Sequence, residues 1–348
     1  MNPYVLMVLL SSLGLGTTLT FASSHWLLAW MGLEINTLAI VPLMAQQHHP
    51  RAVEATTKYF LTQATAAAMI LFASTTNAWI TGQWDMNNML SPIASTMVIT
   101  ALALKIGLAP MHFWMPEVLQ GLDLLTGLIM STWQKLAPLA LIIQTAQAID
   151  PLLLTALGLT STLAGGWGGL NQTQLRKVLA YSSIAHMGWM IIVLQYAPQL
   201  TLLALGTYIF MTSAAFLTLK MSSATKINTL AMTWSNSPIL TTTTALVLLS
   251  LGGLPPLTGF MPKWLILQEL AKQNLPITAT IMALAALLSL YFYLRLCYAM
   301  TLTISPNTAN ATTPWRIKST QGSLPLTIST TVALGLLPMT PAILMLAT

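Results

Sequence analysis

Residues 107–117 read GLAPMHFWMPE, and residues 253–263 read GLPPLTGFMPK. The two stretches align without a gap at an offset of 146 (253 − 107). Five of eleven positions agree: Gly107 with Gly253, Leu108 with Leu254, Pro110 with Pro256, Met115 with Met261, and Pro116 with Pro262. Leu and Met recur by chance in apolar sequence, but a glycine and two prolines at one spacing are harder to dismiss. Each stretch interrupts an apolar run, 92–120 and 238–272, that exceeds the ~20 residues needed for one straight helical crossing of a bilayer. Proline frees backbone groups inside a helix, and these survive at membrane depth only where protein or water satisfies them. Two packing kinks are the plain alternative; matched placement favours two corresponding broken helices.

The rest of the chain has membrane composition. Of 348 residues, 55% are hydrophobic and 6% charged, and the mean hydropathy is +0.73. Soluble domains carry ~25% charged residues. A soluble enzyme and a disordered chain are excluded, and so is a nucleic-acid binder despite the net charge of +6. Eleven apolar segments have helical span: 3–22, 25–45, 58–80, 92–120, 124–146, 151–170, 174–195, 199–221, 238–272, 276–300 and 323–346. The expectation is an all-α membrane protein of about 11 transmembrane helices; a β-barrel would show short strands with period-two alternation. The longest polar stretches are 46–57 and 301–322, too short for a soluble domain. Cys297 is the single cysteine, which excludes a disulfide framework, a Cys-ligated zinc site and an iron–sulfur cluster within the chain. The start, Met1-Asn2-Pro3-Tyr4, lacks a basic leader, so insertion without a cleaved address is expected.

The matched stretches fall in the fourth helix of two five-helix sets, 3–146 and 151–300, with 323–346 as a C-terminal transmembrane helix. Five is odd, so the second set would begin on the opposite face. That makes an inverted repeat, in which corresponding broken helices mark the ion path. Loops after even-numbered segments hold Arg51, Lys58, Arg176, Lys177, Lys220, Lys226, Arg316 and Lys318; loops after odd-numbered segments hold Lys272, with Asp85 and Asp150. Eight basic residues against one place the even loops and the N-terminus on the cytoplasm-like side, and the C-terminus opposite. Trp26, Trp84, Trp234 and Trp315 stand near segment ends, as interface anchors do.

Four charges remain at depth: Glu34, Lys105, Lys135 and Lys263. Each costs roughly 2.5–3.5 kcal/mol at mid-membrane, together on the order of 10–14 kcal/mol, unless paired or hydrated. Snorkelling suits Arg295, near the end of its segment, but not Glu34 or Lys135. A buried lysine exchanges a proton according to the charge beside it, without any cofactor. Glu34 and Lys105 share one five-helix set and are expected to lie within direct or one-water coupling distance, with protons passing on by Lys135 and His112 to Lys263. His112, two residues after Pro110, and His186 read either as relays or as helix–helix hydrogen bonds. His25, His48 and His49 read as surface residues. The run Gly165-Gly166-Trp167-Gly168-Gly169 lacks the strand–turn–helix setting of a dinucleotide site, and close helix packing accounts for it better.

Taken together, Met31-Gly32-Leu33-Glu34, residues 104–117 (LKIGLAPMHFWMPE), Trp133-Gln134-Lys135 and residues 253–263 resemble the antiporter-like membrane-arm family of the mitochondrial NADH–ubiquinone oxidoreductase, respiratory complex I, in its subunit-2 branch. The resemblance covers the whole chain, and the Met- and Thr-rich, Cys-poor style is similar to vertebrate mitochondrial gene products, fish among them. It implies a proton-translocating subunit of the mitochondrial inner membrane, with matrix-facing even loops. Glu34, Lys105, Lys135 and Lys263 would carry protons. Flavin, iron–sulfur clusters and quinone would belong to other subunits, leaving this chain no cofactor and no metal. Its partners would be other membrane-arm subunits, lipid and protons, with no nucleic acid. Bacterial members have fourteen helices where this chain has room for eleven, so partner or lipid would cover one flank. A stand-alone cation/proton antiporter would share the same lysines and broken helices, and a structural scaffold would not need four buried charges.

Overall fold

The computed structural model describes residues 2–46, 49–86, 89, 91–302 and 323–347. Among these the elements are helices, with no strand beyond isolated backbone bridges. The chain divides into two compact units, Met1–Ser161 and Thr162–Thr348.

The first unit holds α1 (Pro3–Ala22), α2 (Trp26–Met44), α3 (Pro50–Thr81), α4 (Pro92–Ile106), α5 (Trp114–Gly121), α6 (Leu124–Thr145) and the first part of α7 (Pro151–Gly169). Proline opens α1, α3, α4 and α7, where its missing N–H is one the helix could not use and its φ is already helical. α3 packs on α2, α4 and α5, while α6 packs on α1, α2 and α4. Gly32 makes the α1–α2 crossing close: a β-carbon there would stand 2.7 Å from Thr20 Cγ2 and 2.8 Å from the Gly16 carbonyl.

The second unit holds the rest of α7, α8 (Leu175–Val193), α9 (Pro198–Met221), α10 (Ile227–Asn236), α11 (Pro238–Gly252), α12 (Phe260–Lys272), α13 (Pro276–Thr301), α14 (Leu324–Gly335) and α15 (Thr340–Ala347). α11 packs on α9, α13 and α14, and α12 on α8, α9 and α13. The glycines of 165–169 serve close packing: β-carbons at Gly165, Gly166 and Gly169 would stand 2.7 Å from the Ala185 amide, 2.9 Å from Leu288 Cβ and 2.7 Å from the Phe292 ring.

The sequence repeat is also a repeat of elements. α4 and α11 each span 15 residues, each begins at a proline, and their starts and ends differ by 146 (238 − 92 and 252 − 106). The helices resume at Trp114 and Phe260, again 146 apart (260 − 114). α2 and α8 both have 19 residues. In each unit the strand-like bridge preceding these helices recurs, His25 with Asp85 and Gln174 with Lys226.

Several expectations need correction. The breaks begin before Pro110 and Pro256, at Gly107 (φ 85°) and Gly253 (φ 82°); left-handed glycine, not proline, ends each helix. The span 323–346 is not one helix: it parts between α14 and α15 around Gly335 and Pro338, with a short 3₁₀ turn at Leu337–Met339. Residues 50–57, read as polar loop, continue α3, and α10 adds a helix the sequence did not announce. Trp26 is no interface anchor but fully buried. His25 and His49 lie at the surface as expected and also serve as N-caps, their side chains accepting the Leu27 and Arg51 amides. Arg295, half-buried near the end of its segment, donates to the Leu170 carbonyl just past α7 at 2.7 Å. His48, Trp315, Arg316 and Lys318 lie outside the described residues.

Candidate functional site

In the first unit, Lys105 occupies the last turn of α4 and Lys135 the middle of α6, exposed by only 5% and 2%. α3 and α6 flank α4, and this brings the two lysines onto one cavity, lined also by Asn36, Tyr59, Gln63 and Gln134. It offers ≈ 10 Å³ to the centre of a water-sized sphere, room for about one water. The α4 break frees carbonyls beside it. Trp114 Nε1 donates to the Leu104 carbonyl at 3.0 Å, and Gln63 Nε2 to that of Lys105 at 3.5 Å.

Glu34 sits one residue after Leu33, which lines the same cavity. No ion pair forms between Glu34 and Lys105 among the described residues. Glu34 Oε2, Lys105 Nζ and Asn36 Oδ1 are all buried without a hydrogen-bond partner. Of the two forms of coupling expected, direct or through one water, the direct pair is the one absent among the described residues. Three unsatisfied buried polar atoms around one helix end are costly unless something polar enters.

In the second unit, Lys263 is exposed by 8% and lies in the first turn of α12. Its Nζ donates to the Gly252 carbonyl, the last of α11, at 2.7 Å. Lys263 shares a cavity of ≈ 10 Å³ with Ser182, His186, Ser289 and Tyr293. His186 faces Tyr208 with ring centroids 5.5 Å apart. His112 is buried in the α4–α5 break, its ring stacked 4.5 Å from that of Phe113, and lines neither cavity. The sequence placed His112 on the way to Lys263; the histidine that lines the Lys263 cavity is His186.

Each unit thus sets a buried lysine at the C-terminal end of a half-helix, where the partial negative charge of the exposed carbonyls favours a cation. The lysines are not equivalent in sequence. At the 146-residue offset, Lys263 corresponds to Glu117, an exposed residue of α5 that pairs with Lys58 at 2.7 Å. Lys58 also pairs with Glu54 at 2.8 Å, and the lysine holds the Glu54 carboxyl below its ordinary range. The sequence reading passed over this triad, although the repeat alignment itself set Glu117 opposite Lys263. No cluster of three or more His, Cys, Asp or Glu that could hold a metal occurs among the described residues.

A family model described as NADH:quinone oxidoreductase/Mrp antiporter, transmembrane, matches residues 23–289. The chain belongs to this family. A second, described as NADH dehydrogenase subunit 2 C-terminus, matches residues 290–344. The chain is 85% identical over 348 residues to a goldfish (Carassius auratus) protein named NADH-ubiquinone oxidoreductase chain 2, covering 100% of both. Among solved structures it is similar to a chain of respiratory complex I from Thermus thermophilus: TM-score 0.84, 28% identity, covering 97% of this chain and 79% of that one. A chain of the Mrp complex from Dietzia has the same fold, with TM-score 0.84 at 15% identity, covering 96% and 75%.

Proposed function

We propose that the chain is an antiporter-like, proton-translocating membrane subunit of NADH:ubiquinone oxidoreductase, moving protons by Glu34, Lys105 and Lys135 in one unit and Lys263 with His186 in the other. The observation that carries this is the burial of three lysines at polar cavities beside two broken helices. Such charges are expensive at membrane depth and are kept where they do work. Full-length relatedness to an oxidoreductase chain favours a subunit over a stand-alone antiporter.

Its organisation, on this reading, is eleven membrane crossings: inverted five-helix repeats over 3–146 and 151–300, and a C-terminal crossing over 323–346. Among the described residues five helices, α1, α2, α6, α9 and α13, are long and apolar enough to span by themselves; on this reading α3, α7 and α8 also cross, and the broken helices span in halves. The membrane is the mitochondrial inner membrane, with the N-terminus in the matrix and the C-terminus on the intermembrane side. Partners are other membrane-arm subunits, lipid and protons; flavin, iron–sulfur and quinone chemistry lies elsewhere in the complex. Amine labelling in intact vesicles tests the orientation. Lys226 should react from the matrix side and Lys272 from the other, and the converse overturns it.

Glu34 sets the charge that Lys105 feels. When a neighbouring subunit draws that charge away, Lys105 releases its proton toward Lys135. Glu34→Gln keeps shape and removes the charge. In the assembled oxidoreductase it should lower protons translocated per electron and slow turnover. Wild-type stoichiometry and rate, with assembly intact, would make Glu34 a structural hydrogen-bonding residue.

A further inference from the structure

α11 stops at Gly252 because Gly253 is left-handed, which returns the Gly253 and Leu254 amides to the Leu249 carbonyl at 3.2 and 3.4 Å. A helix end leaves its last carbonyls without intrahelical donors. The Gly252 carbonyl finds its donor on another element, Lys263 Nζ. The lysine stem lies across Gly253: a β-carbon there would stand 2.8 Å from Nζ, 2.9 Å from Cδ and 3.1 Å from Cε. Gly107 has the same backbone conformation, yet its nearest atoms, on Met115 and Trp114, would be 3.5 Å from a β-carbon, an ordinary contact. Conformation favours glycine at both positions, but only at 253 would a β-carbon meet, and have to displace, the lysine side chain.

We propose that Gly253 is a positioning residue for Lys263: bare backbone at 253 lets the lysine lie against the end of α11 with its nitrogen on the Gly252 carbonyl. The proposal rests on the reading of Lys263 as a proton carrier. The helix end is then part of the proton site, not a kink beside it. Among the described residues no carboxylate pairs with Lys263. The other titratable groups on its cavity are His186 from α8 and Tyr293 from α13, with Tyr208 of α9 against His186. The negative end of α11 is therefore the partner the fold provides for a cation here. A side chain at 253 would push the lysine off that end while leaving every other lining residue in place.

The test compares Gly253→Ala with Gly107→Ala in the assembled oxidoreductase, alone and with Lys263→Gln. Both alanines force the same left-handed conformation, so the second isolates backbone strain. Gly253→Ala should lower coupled turnover about twofold to fivefold below Gly107→Ala, the size of a helix-end interaction. It should also move the pH profile, which Gly107→Ala should leave in place, and cause no further loss on top of Lys263→Gln. Gly253→Asn tolerates positive φ and fills the same space; it should show the same loss where the alanine variant fails to assemble. Equal behaviour of the two alanines, additivity with Lys263→Gln, or wild-type turnover in Gly253→Asn would overturn the proposal. Wild-type pumping in Lys263→Gln overturns the proton-carrier reading as well. A loss there with none at Gly253 overturns the positioning alone.

Discussion

Arg295 shows what a half-buried cation does when it is structural. Its guanidinium closes the exit of α7 by donating to the Leu170 carbonyl at 2.7 Å. Arg295→Leu removes the donor and leaves that carbonyl without it, at a cost of about 1–3 kcal/mol. Heating the assembled subunit should release it at lower temperature, and unchanged thermal stability would contradict the assignment. The buried lysines differ in kind, because they border cavities and Lys105 has no hydrogen-bond partner at all. Glu34, Lys105, Lys135 and Lys263 were legible in the sequence because charge in an apolar run stands out against its neighbours. The carbonyl that Arg295 meets was not legible, because it is 125 residues away (295 − 170) and no local pattern reports such a contact. That His186 and not His112 lines the Lys263 cavity was hidden for the same reason: α8 and α12 meet only in the fold.

Elements were legible wherever an apolar run ends in a cap or a proline. α1 begins and ends at the residues the sequence marks, and α4 and α11 begin at theirs. The start of α3 was missed because Arg51, Glu54 and Lys58 made its first turns look like loop; in the fold Lys58 pairs both Glu54 and Glu117 there. The breaks were placed on prolines because proline is the obvious interrupter, whereas the geometry puts the stop on Gly107 and Gly253. Small residues at crossings were legible only as a motif. Gly32→Ala should separate α1 from α2, since the β-carbon meets the Gly16 backbone carbonyl at 2.8 Å, which cannot give way as a side chain would. The cost of such overpacking is about 1–3 kcal/mol. Gly14→Ala, on α1 with open space around it, should be neutral. Equal yields of assembled complex from the two variants would contradict the close crossing.

At the scale of the whole molecule, two units carry one plan with different chemistry. Each ends a half-helix on a left-handed glycine and sets a lysine at that end. In the first unit the lysine belongs to the half-helix itself; in the second it comes from α12. The exposed Lys58–Glu117 pair stands where the repeat would otherwise have put a buried cation. The sequence could show the shared frame, since glycine and proline spacing survives in the letters. It could not show which lysine faces which cavity. The role of the buried lysines is decided by protons translocated per electron in the assembled oxidoreductase, with Lys135→Met beside Lys58→Met. Lys135 is 2% exposed at the first cavity, while the side chain of Lys58 is 43% exposed in a surface pair. Lys135→Met should lower the ratio and slow turnover, and Lys58→Met should keep the wild-type ratio. A wild-type ratio for Lys135→Met, with the complex intact, would contradict that role.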